Sequence, residues 1–347
     1  MPGEQPGQFH DDLSWCYGAV QGVSRTFSLT ISALEEPMAD EICVAYLLCR
    51  VADTIEDAGE IPPDDASQLL NLYSQALDPA ADTSVGDFRT AVGPWIPATP
   101  DEDWTVVANA PRILDTFEAL PKASQAIIRP SVRELTEGLA MFIDRYAAER
   151  GLRIQTFDEL ERYCWYAAGT VGEFVTDLIA RDGAFTVTDS VREQARAFSL
   201  LLQLVNVTKD VHKDYHEENN VYIPLEVLAA HDLSPGDIQH RTDGERFEPV
   251  IEQMIERAEG YLDGAQAWLE AVPRVRGYTP AAGGVPFLLA IGTLRELSRR
   301  PDAVVFEGSV KVSRAEVNAV LAQFGGETEP SLGALRKTIR QTPLHQA

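Results

Sequence analysis

Tyr46, Arg50, Asp53 and Asp57 recur at i, i+4, i+7 and i+11 within ICVAYLLCRVADTIED, residues 42–57. On a helix that spacing makes one polar stripe, and Glu56 lies beside it three residues beyond Asp53. From Ile42 to Ile55 only Arg50 and Asp53 are charged. A second stripe appears far downstream in LLLQLVNVTKDVHKD, residues 200–214, where Gln203, Asn206, Asp210 and Asp214 fall at i, i+3, i+7 and i+11. In so acidic a chain a bare Asp-x-x-x-Asp reads first as a solvated helix face. The apolar setting changes that, because carboxylates placed among such neighbours carry a heavy desolvation cost unless a cation compensates them. Arg50 could satisfy one aspartate but not all. Two such helices facing each other would put four or five carboxylates around one cavity, which is a metal site.

The chemistry that needs this arrangement is ionisation of an allylic diphosphate. Mg²⁺ prefers oxygen ligands and is usually held by a few carboxylates together with substrate phosphate oxygens. Two or three such ions would neutralise the leaving diphosphate as its C–O bond breaks. Arg50 and Lys209 stand beside the clusters and could take the remaining phosphate oxygens. The apolar remainder of each helix would line a pocket for a long hydrocarbon tail and keep water from the carbocation.

The elements that must position these residues are helical almost throughout. A loose tail is expected over residues 1–10, then a helix from Asp11 to about Ser24, another through Ser32, and the first motif helix over 38–57. Gly59 and Pro62-Pro63 stop that helix. A short amphipathic helix follows over 64–77. Residues 78–104, rich in Pro, Gly and Asp, read as a surface connection. Helices resume over 105–120 and 124–149, and Thr156 caps one that carries Tyr163 and runs to about Ala180. The second motif helix is expected over 189–215, followed by a polar loop over 216–222. A continuous helix over 247–272, an apolar one to about Arg299, and a last one near 313–323 complete the pattern. Strand-like alternation is almost absent, so the chain is expected to be all-α with one core.

Composition bounds the function. A net charge of −25 argues against nucleic acid as a partner and against an electrostatic grip on anionic lipid. An acidic surface of this kind suits a protein that works in high salt. Cys16, Cys43, Cys49 and Cys164 show no metal-ligand spacing and read as buried thiols in a reducing cytosol. The opening MPGEQPGQFHDD has no signal-peptide pattern, and no apolar run is long enough to span a bilayer.

Five stretches in order carry a resemblance: Ser24-Arg25-Thr26-Phe27, Asp53–Asp57, Tyr163-Cys164-Trp165-Tyr166 with Ala168-Gly169, Gln203–Asp214, and Val305–Lys311. Over about residues 12–322 the chain resembles the squalene/phytoene synthase family of head-to-head prenyl condensing enzymes. The resemblance implies a single catalytic domain over 11–325, an all-α isoprenoid synthase-type bundle around a central cavity, with a polar tail over 326–347. It implies Asp53, Glu56 and Asp57 as one Mg²⁺ site, Asp210 and Asp214 as the other, and Asn206 as orienting the second. Arg25, Arg50 and Lys209 would hold diphosphate, with Tyr46 and Gln203 also on the substrate side. Tyr163 would carry a proton near the ionising centre, although a helical Tyr in an apolar run is more often a core residue. Phe27 would close over the site. Lys209 stands where the family usually has Arg, losing the bidentate fork, and Lys213 replaces a common acid.

Val304–Arg314 resembles the squalene branch, where a Phe-x-Gly-x-Val-Lys segment precedes cations that contact NADPH phosphates. Lys311 fits, and Arg314 falls one residue later than usual; the pair could equally be ordinary surface cations. The implied reaction joins two farnesyl diphosphates through presqualene diphosphate and reduces the product with NADPH to squalene. The phytoene branch, which joins two geranylgeranyl diphosphates without reductant, remains the alternative. A non-catalytic assembly protein of the same fold is the third reading, disfavoured because both acidic motifs are present. A cytoplasmic monomer with peripheral membrane contact for product release is expected.

Overall fold

The computed structural model describes residues 6–183, 185–239, 244–326 and 330–346, without the side chains of residues 6, 7, 25, 26 and 239. Among them the protein is all-α, and the β-type pairing found is a single bridge between Arg153 and Val221. None of the described helices is long and apolar enough to cross a membrane. The contacts gather into two compact units, one formed by Met1–Ala147, Glu173–Thr186 and Pro273–Thr279, the other by Ala148–Gly172, Val187–Val272 and Pro280–Ala347.

In the first unit α1 (Pro6–Val23), α2 (Arg25–Ser32), α3 (Met38–Glu56), α4 (Pro63–Leu77), α5 (Val85–Val92), α6 (Glu102–Ala108), α7 (Ala110–Ala119) and α8 (Lys122–Arg145) follow in order. Helix α3 is buried on nearly every side, as its near-continuous apolar run requires. It packs against α1, α4, α6, α7 and α8. The Tyr73 hydroxyl of α4 donates to Leu48 O of α3 at 3.0 Å, so even the aromatic partner is tied by a hydrogen bond. At the other end of α3, Glu41 is fully buried and accepts from Ser124 Oγ (2.6 Å), Arg181 Nη1 (2.9 Å) and Arg276 Nη2 (2.7 Å). One carboxylate thereby joins α3, α8, residues 173–186 and residues 273–279, which are distant in sequence. Arg276 holds a left-handed backbone, φ 56°, to reach it.

In the second unit come α9 (Phe157–Cys164), a π-turn over Trp165–Gly169, the start of α10 (Thr170–Ala180), α11 (Asp189–Lys209), α12 (Val211–Glu217), α13 (Leu225–Ala230) and α14 (Pro235–Gln239). After these are α15 (Glu248–Glu259), α16 (Leu262–Ala271), α17 (Pro280–Arg299), α18 (Ala303–Phe306), α19 (Arg314–Gln323) and α20 (Leu332–Gln341). Helix α11 is the centre, flanked by α15, α16, α17 and the π-turn. Gly172 lets two backbones meet there, since a Cβ on it would stand 2.0 Å from Ser199 Oγ.

Several expected boundaries move. Helix α1 begins at Pro6, inside the stretch expected to be a loose tail; residues 1–5 of that tail lie outside the described residues. The connection over 78–104 contains α5, closed by a capping box between Ser84 and Asp87. The helix expected over 247–272 is two helices, divided at Gly260 and Tyr261. The second motif helix also divides, at Asp210 (φ −105°, ψ 9°). Lys209 O there accepts from Val310 N at 3.0 Å, an external donor in place of the helix's own next turn.

The polar tail expected over 326–347 contains α20, capped by Ser331 and packed on α17. Its Ile339 is fully buried, and Arg295 Nη1 of α17 donates to Ile339 O at 2.8 Å. The same guanidinium grips Glu316 of α19 bidentately, at 2.8 and 2.6 Å.

Candidate functional site

The first acidic stripe lies on the C-terminal half of α3. Tyr46 is buried, and its hydroxyl accepts from Arg50 Nη2 at 2.8 Å. Phe27, exposed on α2, stacks on the Tyr46 ring with centroids 4.7 Å apart. Ser24 of the same motif proves to be the N-cap of α2, accepting from Phe27 N at 3.2 Å. Arg25 opens that helix, and its side chain lies outside the described residues. Arg50 Nε stands 3.7 Å from Asp103 Oδ1, too long for a hydrogen bond but close enough for charge attraction.

Burial pushes the Asp53 carboxyl up to about 6, with Arg50 opposing the rise and Asp103 adding to it. Burial works against the Arg50 charge, yet Asp53, Tyr46 and Asp103 more than offset it and its pKa moves up. Glu56 is half-buried near the end of α3, and Asp57 caps it, its N–H donating to Asp53 O at 2.9 Å. Asp103, on α6, escaped the sequence reading because it lies in the stretch taken for a surface connection. The signal available was its place in the first turn of a helix capped by Asp101.

The second stripe is arranged around the break after α11. Gln203 is half-buried and Asn206 exposed on α11; Asp210 stands at the break and Asp214 is buried on α12. Across the break Asp214 N still donates to Asp210 O at 2.9 Å, so the two acids keep their helical spacing. Lys209 Nζ contacts Asp210 Oδ2, while the buried Asp210 Oδ1 has no hydrogen-bond partner among the described residues. Burial pushes the Lys209 ammonium below its ordinary value; nearby Lys311 pushes the same way, and Asp210 and Asp214 resist. Lys311 is exposed, but the hydrogen bond from Val310 N to Lys209 O brings its segment to the end of α11. Arg314 is exposed at the first position of α19, next to its N-cap Ser313.

Tyr163 is buried, with its hydroxyl 3.0 Å from that of Tyr222 and the two rings 4.9 Å apart. Tyr222 Oη also accepts from Asn220 Nδ2 at 3.3 Å, and Asn220 N donates to Asp214 O at 2.9 Å. Tyr163 thus reaches the second acidic cluster through two residues that the sequence reading passed over as loop. Tyr222 could have been noticed as an aromatic two residues before Pro224 in an otherwise polar run.

The donor set suits a hard cation. Carboxylate oxygens match Mg²⁺, and the orphaned Asp210 oxygen and the raised Asp53 carboxyl are groups that a cation would relieve. Among the described residues no three His, Cys, Asp or Glu side chains gather on one point.

The all-α fold thus carries two acidic stripes, one in each unit. A squalene/phytoene synthase family profile matches residues 20–316, and the chain belongs to that family. It is 27% identical over 309 residues to a squalene synthase of Botryococcus braunii, covering 88% of this chain and 61% of that protein. It is 27% identical over 342 residues to a squalene synthase of Candida albicans, covering 97% of this chain and 72% of the relative. The chain therefore spans about three fifths of the length of the first relative. A ligand complex of TcSQS superposes with a TM-score of 0.79 at 23% identity, over 95% of this chain and 90% of that one, a likeness of fold.

Proposed function

We propose that the protein condenses two farnesyl diphosphates head to head through presqualene diphosphate and then reduces that intermediate to squalene. The observation that supports the reading is that in each unit a half-buried aspartate stands beside a cation: Asp53 near Arg50, and Asp210 against Lys209. Asp53, Glu56 and Asp57 of the first unit, and Asp210 and Asp214 of the second, are the residues that would hold two or three Mg²⁺. Bound there, Mg²⁺ supplies neutralisation of the departing diphosphate. Arg50, Lys209 and, by its place in the motif, Arg25 take phosphate oxygens by charge-assisted hydrogen bonds. Gln203 and Asn206 orient the second diphosphate, and Tyr46 holds Arg50 in place through its hydroxyl. Phe27, stacked on Tyr46, lies beside the first acidic stripe and offers a ring face to a developing cation. Tyr163 moves the proton.

Lys311 and Arg314 are exposed cations of the type that NADPH phosphates require, and NADPH, when bound, supplies the hydride for the second half-reaction. The reading is tested by product analysis with farnesyl and geranylgeranyl diphosphate, each with Mg²⁺ and with or without NADPH. Squalene from farnesyl diphosphate only with NADPH, and the cyclopropyl diphosphate without it, is the expected result. Full conversion of geranylgeranyl diphosphate to phytoene with no reductant would assign the phytoene branch instead. No pyrophosphate release from either substrate would refute catalysis by this chain.

A further inference from the structure

Asn220 is buried, and its amide orientation is set by its neighbours. Asn220 Oδ1 accepts from Leu152 N at 2.8 Å, so Nδ2 must face Tyr222, whose hydroxyl lies at 3.3 Å. An amide nitrogen only donates. Tyr222 Oη therefore accepts from Asn220 and has its own proton to direct at Tyr163 Oη, 3.0 Å away. Both rings are buried and in contact, which leaves the two hydroxyls little freedom to swing apart. A phenol hydroxyl that accepts from Asn220 keeps one proton to give, and Tyr163 Oη lies within hydrogen-bond distance of it.

We infer that Tyr222 is a positioning residue for the reaction: its hydroxyl donates to Tyr163 Oη and fixes the direction in which Tyr163 presents its proton. Asn220, anchored on Leu152 N and tied through its backbone N–H to Asp214 O, sets Tyr222 in turn and registers the pair against the second acidic cluster. The proton moves between Tyr163 Oη and the reacting molecule, and Tyr222 keeps its own. This inference rests on Tyr163 being the proton-moving group of the proposed function.

The test uses the full chain with Mg²⁺ and farnesyl diphosphate, measuring pyrophosphate release for wild type, Tyr163→Phe, Tyr222→Phe and the double variant. Tyr222→Phe removes one oxygen and leaves the ring packed on Tyr163. Its kcat should fall about three- to tenfold, the loss that one buried hydrogen bond makes, with KM for farnesyl diphosphate held within about twofold. The double variant should be no slower than Tyr163→Phe, because Tyr222 has nothing left to position. Wild-type turnover in Tyr222→Phe, or losses that multiply in the double variant, would overturn the inference while leaving the proposed function standing. Full activity in Tyr163→Phe would instead remove the proton role of Tyr163 and the inference with it. A thermal melt checks that Tyr222→Phe folds. Should it not, Asn220→Asp carries the same test, since it keeps the acceptor for Leu152 N and deletes the donor to Tyr222; unchanged kcat in that variant overturns the inference.

Discussion

Asp53→Asn should make the ligand-free protein more stable and the enzyme inactive. In the folded chain burial raises the Asp53 carboxyl from 3.8 to about 6. At about 1.4 kcal/mol per tenfold this is about 3 kcal/mol as an upper bound. Asp53 is only half-buried, so solvent screening brings the expected figure down to about 1–2 kcal/mol. The sign follows from proton linkage. The folded state binds the proton more tightly than the unfolded state, so stability falls as pH rises from about 4 to about 6, and the full cost remains above that. Asparagine is neutral throughout. In urea titrations the variant should therefore exceed wild type by about 1–2 kcal/mol at pH 8, and the difference should shrink as pH falls from 6 towards 4. Pyrophosphate release from farnesyl diphosphate should drop on the order of a hundredfold or more at saturating Mg²⁺. Adding Mg²⁺ with inorganic pyrophosphate should stabilise wild type, by about 2.7 kcal/mol at a hundred times the dissociation constant, and leave the variant nearly unmoved. A variant less stable than wild type at pH 8 would mean that the attraction to Arg50 outweighs burial. Near-normal turnover would remove Asp53 from the metal site.

Asp210→Asn should likewise abolish pyrophosphate release and, by taking the countercharge from Lys209, move that lysine's pKa further down; wild-type turnover would remove Asp210 from the proposed metal ligands. Glu41→Gln should cost about 3–5 kcal/mol in urea denaturation, because Arg181 and Arg276 lose the buried carboxylate they share, and a loss below about 1 kcal/mol would show that the network is not needed. Lys311→Ala/Arg314→Ala should raise the KM for NADPH at least tenfold, since each charge-assisted hydrogen bond contributes about 1.5–3 kcal/mol, while the first condensation stays within a few-fold of wild type. Unchanged squalene output at low NADPH would return both residues to the ordinary surface.

The helical fold was legible because α3 and the C-terminal half of α11 are largely apolar, and their few polar residues stood out against that background. Asp53 and Asp210 could be picked for the same reason. The break after Lys209 could not be read locally, since the donor that takes its carbonyl, Val310 N, belongs to a segment a hundred residues downstream in the numbering. Asp103 and Glu41 were hidden in a chain where an acid in a first helical turn is the ordinary choice for the helix dipole. Tyr222 and Asn220 lie in a loop, where no period links a residue to its partner. Helix α20 did leave a trace, with Leu332, Leu335 and Ile339 at i, i+3 and i+7 behind a Ser331 cap. The surrounding polar residues masked it.

Glu41 has a consequence for how the chain is made. Its carboxylate emerges early, yet the two guanidiniums that neutralise it come at Arg181 and Arg276. At about 5–20 residues per second, the stretch between those arginines takes on the order of 5–20 s to leave the ribosome. Through that interval the nascent first unit holds an acid that it cannot bury fully without cost, and its last peptide, residues 273–279, does not yet exist. Truncated products ending before residue 273 would lack Arg276 and leave Glu41 with that cost permanently.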